Sequence, residues 1–216
     1  MNGSAVSAVL LAAGESRRMG TMNKLFLDIA GMPLLRRAAL TLLGASAKEV
    51  VVVVGHEAAL SQSLLSDLPL RVVENPHFAD GQMTSVYCGL HALQEPCEGV
   101  MVCLADQPLL DATDLETLAL GFVDGCSRSV LVPTYRGRRG NPVILPSRVR
   151  EAILAGGPDL GGERPIDTYR DLVRPLEMPN DHCVFDLDTP EDWVRVRQRL
   201  GPTPPTPRGE AVSEAG

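Results

Sequence analysis

Valine fills every position from Val50 to Val54, so a strand formed there has no polar face to offer to water. Such a run needs cover on both sides, the condition inside a mainly parallel sheet layered by helices. Three more apolar runs lack strict alternation in the same way: Val6–Leu11, Val100–Leu104 and Val130–Val132. Helical spacing fills the intervals between them. Leu34, Leu35, Ala38 and Leu42 follow Pro33, which suits a first helical turn, and Gly44 stands where the helix would stop. Leu60, Leu64, Leu65 and Leu68 make the next stripe, followed by a short strand near Arg71–Val73. Val86, Leu90 and Leu93 share a face after a Thr84-Ser85 start, and Asp111 or Thr113 can cap a helix bearing Leu115, Leu118, Ala119 and Phe122. Strand alternating with helix in this way predicts a doubly wound α/β fold in three αβα layers.

The pattern changes after Val130. Val130–Thr134 and Pro142–Leu145 flank Arg136, Arg138 and Arg139, which predicts a hairpin with a basic tip. Gly156-Gly157-Pro158 and Gly161-Gly162 mark a loop, a last strand is expected near Cys183–Leu187, and Thr189-Pro190-Glu191-Asp192 starts a helix. From Gly201 onward the chain is Pro-rich and aperiodic, so residues 1–200 are expected to form one domain and residues 201–216 a disordered tail. The net charge of −7 argues against a protein that coats nucleic acid. Five scattered cysteines without a C-x-x-C pair suit neither a disulfide framework nor a zinc site. The sequence carries no export signal and no membrane-length apolar stretch, so a cytoplasmic protein is expected.

Chemistry enters where the first apolar run breaks. Leu11 leads into Ala12, Ala13 and Gly14, then Ser16, Arg17, Arg18, Gly20 and Lys24. A buried strand opening into a Gly-containing turn lets backbone N–H groups approach an anion, and the cations that follow suit a triphosphate. The glycine spacing is neither that of the dinucleotide fingerprint nor that of the P-loop. A second element is Leu104-Ala105-Asp106-Gln107-Pro108, with a carboxylate ending an apolar strand where α/β sheets bind ligands. The residues alone leave Asp106 balanced between a turn cap and a ligand for Mg²⁺, which favours one or two carboxylates together with phosphate oxygens. The third element is Phe185-Asp186-Leu187-Asp188-Thr189-Pro190. Alone, Asp188 suits an N-cap; paired with Asp106 it suits a metal.

These strings, together with the Gly81-Gln82-Met83-Thr84-Ser85 loop and Gly140-Asn141-Pro142-Val143, occur in the order and spacing of MobA-like nucleotidyltransferases, from Ser7 to about Trp193. The A-A-G start and the G-x-x-T-S loop resemble the molybdopterin cytidylyltransferase branch. That resemblance implies a single-domain, Rossmann-like α/β fold with a mainly parallel mixed sheet, and Mg²⁺-dependent transfer of CMP from CTP to molybdopterin or molybdenum cofactor. It implies nucleotide contacts from Leu11, Ala12, Ala13, Gly14, Gly81 and Ser85, triphosphate contacts from Arg18 and Lys24, and metal ligation by Asp106 and Asp188. Gln107, Pro108, Asn141 and Pro142 fall where the acceptor should bind. A molybdenum hydroxylase or its chaperone would be the partner.

Two departures from the branch bear on the acceptor. Asn141 stands where its members carry histidine, and Asp159-Leu160-Gly161-Gly162-Glu163-Arg164 matches a G-D-x-G-A-R-like loop only loosely. The alternatives are a guanylyltransferase, a cytidylyltransferase for another phosphorylated small molecule, and a non-catalytic cofactor-binding accessory protein. An NAD-dependent oxidoreductase is disfavoured by the glycine spacing of the first turn. Trp193 is expected to anchor the last helix, and Arg136, Arg138 and Arg139 suit a solvated hairpin tip slightly better than a phosphate site.

Overall fold

The valine run forms a strand buried at all five positions. The structure is a computed structural model, and it describes residues 5–16, 19, 22–125, 127–157 and 165–201. In chain order it contains β1 (Val6–Ala12), a small hairpin of β2 (Asp28–Ile29) and β3 (Met32–Pro33), α1 (Leu34–Gly44), β4 (Val50–Val54), α2 (Ala58–Leu65), β5 (Arg71–Glu74), α3 (Gln82–Ala92), β6 (Gly99–Leu104) and α4 (Ala112–Asp124). It continues through β7 (Val130–Tyr135), β8 (Arg138–Arg139), β9 (Val143–Pro146), α5 (Ser147–Gly156), α6 (Pro165–Thr168), β10 (Val173–Glu177) and α7 (Pro190–Leu200).

The main sheet runs β10-β7-β9-β6-β1-β4-β5, with β8 hairpinned onto β7. β1 lies inside the sheet, parallel to β4 on one side and to β6 on the other, and β9 is antiparallel to both of its neighbours. This is the mixed, mainly parallel α/β layer expected from the apolar runs.

Strand periodicity divides the core in two. Val6, Ala8, Leu10 and Ala12 pack with Leu35, Ala39 and Leu42 of α1 and with Leu115, Leu118 and Phe122 of α4. Val9 and Leu11 point the other way, to Met83, Val86 and Leu90 of α3 and to Val149 and Ile153 of α5. The valines of β4 split alike, with Val50, Val52 and Val54 in the first layer and Val51 and Val53 in the second. Gly89 lets α3 lie close on the sheet, because a Cβ there would collide with Val9 and Val53. A smaller cluster of Met19, Ile29, Leu34, Leu187 and Val196 seats α7 beside the β2–β3 hairpin, with Trp193 packed against it as an anchor.

Three details differ from the sequence reading. Cys183–Leu187 is not a strand: His182–Val184 is a 3-10 turn, and the residues after it cross the end of the sheet as a strap. The backbone there is tied to loops instead of a ladder, Asn141 N donating to Cys183 O at 2.8 Å and Leu187 N to Asp106 O at 2.8 Å. The edge position belongs to β10, parallel to β7, which carries no apolar run. Leu60, counted in the α2 stripe, is 55% exposed, and the buried positions of that helix are Ser61 and Leu65. The Gly161-Gly162 loop, Pro158 and the tail beyond Gly201 lie outside the described residues.

Candidate active site

The carboxyl ends of β1 and β6 open onto a cleft of about 470 Å³. Its lining includes Leu11, Ala12, Ala13 and Gly14 from the end of β1, Phe78, Gln82 and Ser85 from the α3 side, and Lys24, Asp106 and Asp188. A Cβ placed at Gly14 would meet no atom of the described residues within 4 Å, so nothing among them crowds the backbone of the turn. Ala13 O accepts from His56 N at 3.2 Å, which ties the turn to the end of β4.

Lys24 reaches across this floor. Its Nζ donates to Asp106 Oδ2 at 2.6 Å and to Asp188 Oδ1 at 2.8 Å. Asp106 is positioned by β6, whose continuation is held by Ala105 N donating to Leu11 O at 3.1 Å. Asp188 is positioned by the start of α7, where Thr189 and Asp192 form a reciprocal capping box. The Lys24 backbone is fixed as well. Asn23 caps the 3-10 turn Lys24–Phe26, Lys24 N donates to Ser16 Oγ at 3.2 Å, and Asn23 Nδ2 donates to Glu57 Oε2 at 2.8 Å.

The electrostatics are unbalanced. Burial pulls the Lys24 ammonium down, but the charges and hydrogen bonds of Asp106 and Asp188 outweigh it and hold its pKa above the usual lysine value. Asp186 lies nearby, accepting from Gln107 Nε2 at 3.0 Å. Although open to solvent on one side, it is desolvated enough, and near enough to Asp106 and then Asp188, that its carboxyl rises above the usual range. Asp106 Oδ1 is buried and has no hydrogen-bond partner among the described residues. A carboxylate oxygen left over in this way, with Asp186 and Asp188 close by, fits a divalent cation, whose donors are hard oxygens.

The structure thus brings Leu11, Ala12, Ala13, Gly14, Lys24, Ser85, Asp106 and Asp188 to one cleft. Gly81 precedes α3 with φ +125° and is not among the lining residues, whereas its neighbour Gln82 is. Arg18 lies outside the described residues. Gln107, Pro108, Asn141 and Pro142 do not line the cleft. Gln107 Nε2 donates to Cys183 O at 3.0 Å as well as to Asp186, Pro108 O accepts from Arg37, and Asn141 N is bonded to the strap at Cys183. Gly140 allows that approach, since a Cβ there would run into the Cys183 carbonyl.

Sequence reasoning gave no role to Asn23, Glu57 or Phe78. Asn23 stood beside the lysine in the motif and was the available signal. Glu57, at φ +52°, and Phe78, packed over Gly55, act through contacts that leave no periodic trace.

A doubly wound sheet with a polar cleft at its strand ends defines an α/β enzyme of the nucleotide-handling kind. A family model described as the MobA-like NTP transferase domain matches residues 8–174, and the chain belongs to that family of nucleotidyltransferases. Among its relatives, nicotine blue oxidoreductase of Paenarthrobacter nicotinovorans is 30% identical over 88% of this chain and 96% of its own. The molybdenum cofactor cytidylyltransferase of Escherichia coli is 23% identical over 91% of this chain and 97% of its own. A probable molybdenum cofactor guanylyltransferase of Natronomonas pharaonis is 28% identical over 90% and 98%. A solved nucleotidyl transferase from a Methanothermobacter species superimposes with a TM-score of 0.73 at 22% identity, covering 92% of this chain and 98% of that one.

Proposed function

We propose that this chain transfers CMP from CTP to molybdopterin or molybdenum cofactor, releasing pyrophosphate, with Mg²⁺ as the metal. The observation that carries the reading is the meeting of Lys24, Asp106 and Asp188 beside the open turn at Gly14. Asp106 and Asp188 would hold the cation, which when bound neutralises charge on the phosphates. Backbone N–H groups of the Ala13–Gly14 turn would hold the triphosphate, and Ser85 and Gln82 would face the nucleoside. Lys24, and Arg18 by its place in the motif, would stabilise the α-phosphate and the departing pyrophosphate.

The acceptor phosphate oxygen attacks the α-phosphorus in line. A phosphate monoester is already largely ionised near neutral pH, so alignment and charge stabilisation suffice without a general base. Gln107 and Asn141, which hold the strap at Cys183 and Asp186, together with Pro108 and Pro142, would mark the side from which the acceptor approaches. A product of this kind is handed to a molybdenum hydroxylase or its chaperone, in a cytoplasmic setting.

The choice of CTP rests on the A-A-G start and the Gly81–Ser85 loop. A pocket set for cytosine leaves its polar groups unpaired against guanine. Competition between equal CTP and GTP, with Mg²⁺ and purified molybdopterin, should give at least about tenfold more CMP than GMP adduct by mass, or roughly 1.4 kcal/mol. Equal incorporation, or a preference for GTP, would overturn the cytidylyltransferase reading and leave nucleotidyl transfer standing. The name of the Paenarthrobacter relative raises an oxidoreductase reading for the same cleft. Absorbance at 340 nm with NADH or NADPH and a heteroaromatic dye tests it, and no enzyme-dependent oxidation is expected.

A further inference from the structure

We infer that Lys24 is the resident counter-ion of the Asp106–Asp188 pair, and that this ammonium and a divalent cation occupy the pair in exchange. The inference rests on the proposed placement of the metal at these two carboxylates.

One ammonium lies 2.6 Å and 2.8 Å from carboxylate oxygens contributed by residues 82 and 164 positions further along the chain. Mg²⁺ binds such oxygens at about 2.0–2.1 Å, so a metal bridging the same two oxygens needs the space that Nζ fills. Both cations cannot hold those two oxygens at once. The Lys24 backbone cannot retreat, because Ser16, Asn23 and Glu57 brace it. Its four-carbon side chain can, because the ammonium is a point charge on a flexible stem. Lys24 also lines the cleft, together with Ala13 and Gly14, so the direction open to the displaced ammonium is the space a triphosphate would occupy.

The ammonium leaves work undone. It uses Oδ2 of Asp106 and leaves the buried Oδ1 of the same carboxylate without a partner among the described residues. A lysine here is a placeholder that the site exchanges. Without nucleotide, a metal must compete with Lys24. With nucleotide present, the phosphates receive the ammonium and release the carboxylates, so metal and nucleotide bind with positive coupling.

The chain's composition makes the exchange measurable, since Lys24 and Lys48 are its only two lysines. Lys48 donates to Pro96 O on the surface at 2.6 Å and serves as an internal reference. In nucleotide-free protein, Mn²⁺ affinity is read by electron paramagnetic resonance for wild type, Lys24→Met and Asp106→Asn. Lys24→Met should bind Mn²⁺ about tenfold more tightly, as expected if the pinned state occupies about nine molecules in ten. Asp106→Asn should bind more weakly. In wild type, mass-spectrometric acetylation mapping should show Mn²⁺ raising modification of Lys24 several-fold and leaving Lys48 unchanged.

A folded Lys24→Met that binds Mn²⁺ no more tightly than wild type overturns the inference. Lys24 reactivity that Mn²⁺ leaves unchanged does so equally, and that mapping decides the matter if the variant does not fold. A wild-type protein that uses no nucleoside triphosphate would defeat the functional reading instead, while the Mn²⁺ comparison would still report on the exchange.

Discussion

Two acidic clusters lie close together in sequence, and they differ in how their oxygens are used. Asp114 at the start of α4 is buried, and both of its oxygens are engaged: Oδ1 accepts from Asn180 Nδ2 at 2.8 Å, and Oδ2 takes the Asp111 backbone N–H and sits 2.7 Å from His182 Nδ1. Asp111, Asp114 and His182 are near enough together to resemble a metal centre. Yet those bonds cap a helix and moor the 3-10 turn at His182, and Asp114 has already spent its oxygens on the chain. Asp106, eight residues earlier, keeps one buried oxygen without a partner among the described residues and borders a cleft of about 470 Å³. Buried carboxylates that build structure are satisfied by the protein, while a carboxylate left partly unsatisfied is available for chemistry.

Substitutions on either side can break or sharpen that contrast. The largest effect belongs to the cleft. Lys24→Ala should lower turnover by about 10²–10³, the usual cost of losing one preorganised charge contact, with a much smaller change in stability. Pyrophosphate release and urea denaturation together check it. A near-normal rate would remove Lys24 from the reaction.

An intermediate effect belongs to the capping box that fixes Asp188. Thr189 Oγ1 accepts from Asp192 N at 3.2 Å, and Thr189→Ala should cost about 1 kcal/mol of stability. Because Asp188 immediately precedes that cap, KM for the metal should rise while Asp114 and its partners are undisturbed. The smallest effect is that of truncation after Leu200. An aperiodic, Pro-rich sequence is expected to gain too little from burial to offset its ordering entropy, so melting temperature and turnover should both stay unchanged. A loss of either would mean that the tail docks.

Much of this architecture was legible in the sequence because burial on both faces leaves a continuous apolar signature. β1, β4, β6 and β7 carried it, and Asp111 and Thr189 marked their helices by cap chemistry. β10 was not legible: an edge strand with Arg174 and Pro175 carries neither an apolar run nor alternation. The Cys183–Leu187 strap resembled a strand because extended backbone was inferred from its apolar residues, but its hydrogen bonds go to Gln107, Asn141 and Asp106. In the cleft, the motifs marked Lys24, Asp106 and Asp188. The direct contact among them, and the Asn23–Glu57 bond that helps brace Lys24, arise from pairs so distant in the chain that no local pattern records them.

The proposed site needs the oxygens of Asp106 for chemistry, whereas those of Asp114 are bonded within the structure. The direct measurement is a paired assay of Asp106→Asn and Asp114→Asn, taking the midpoint of urea unfolding and metal-dependent pyrophosphate release for each. Asp106→Asn should stay within about 1 kcal/mol of wild-type stability and lose turnover by about 10²–10³. Asp114→Asn should lose about 1–3 kcal/mol through the mispaired groups around it and, where folded, keep turnover near that of wild type. The reverse pattern, or the same pattern in both variants, would contradict the account.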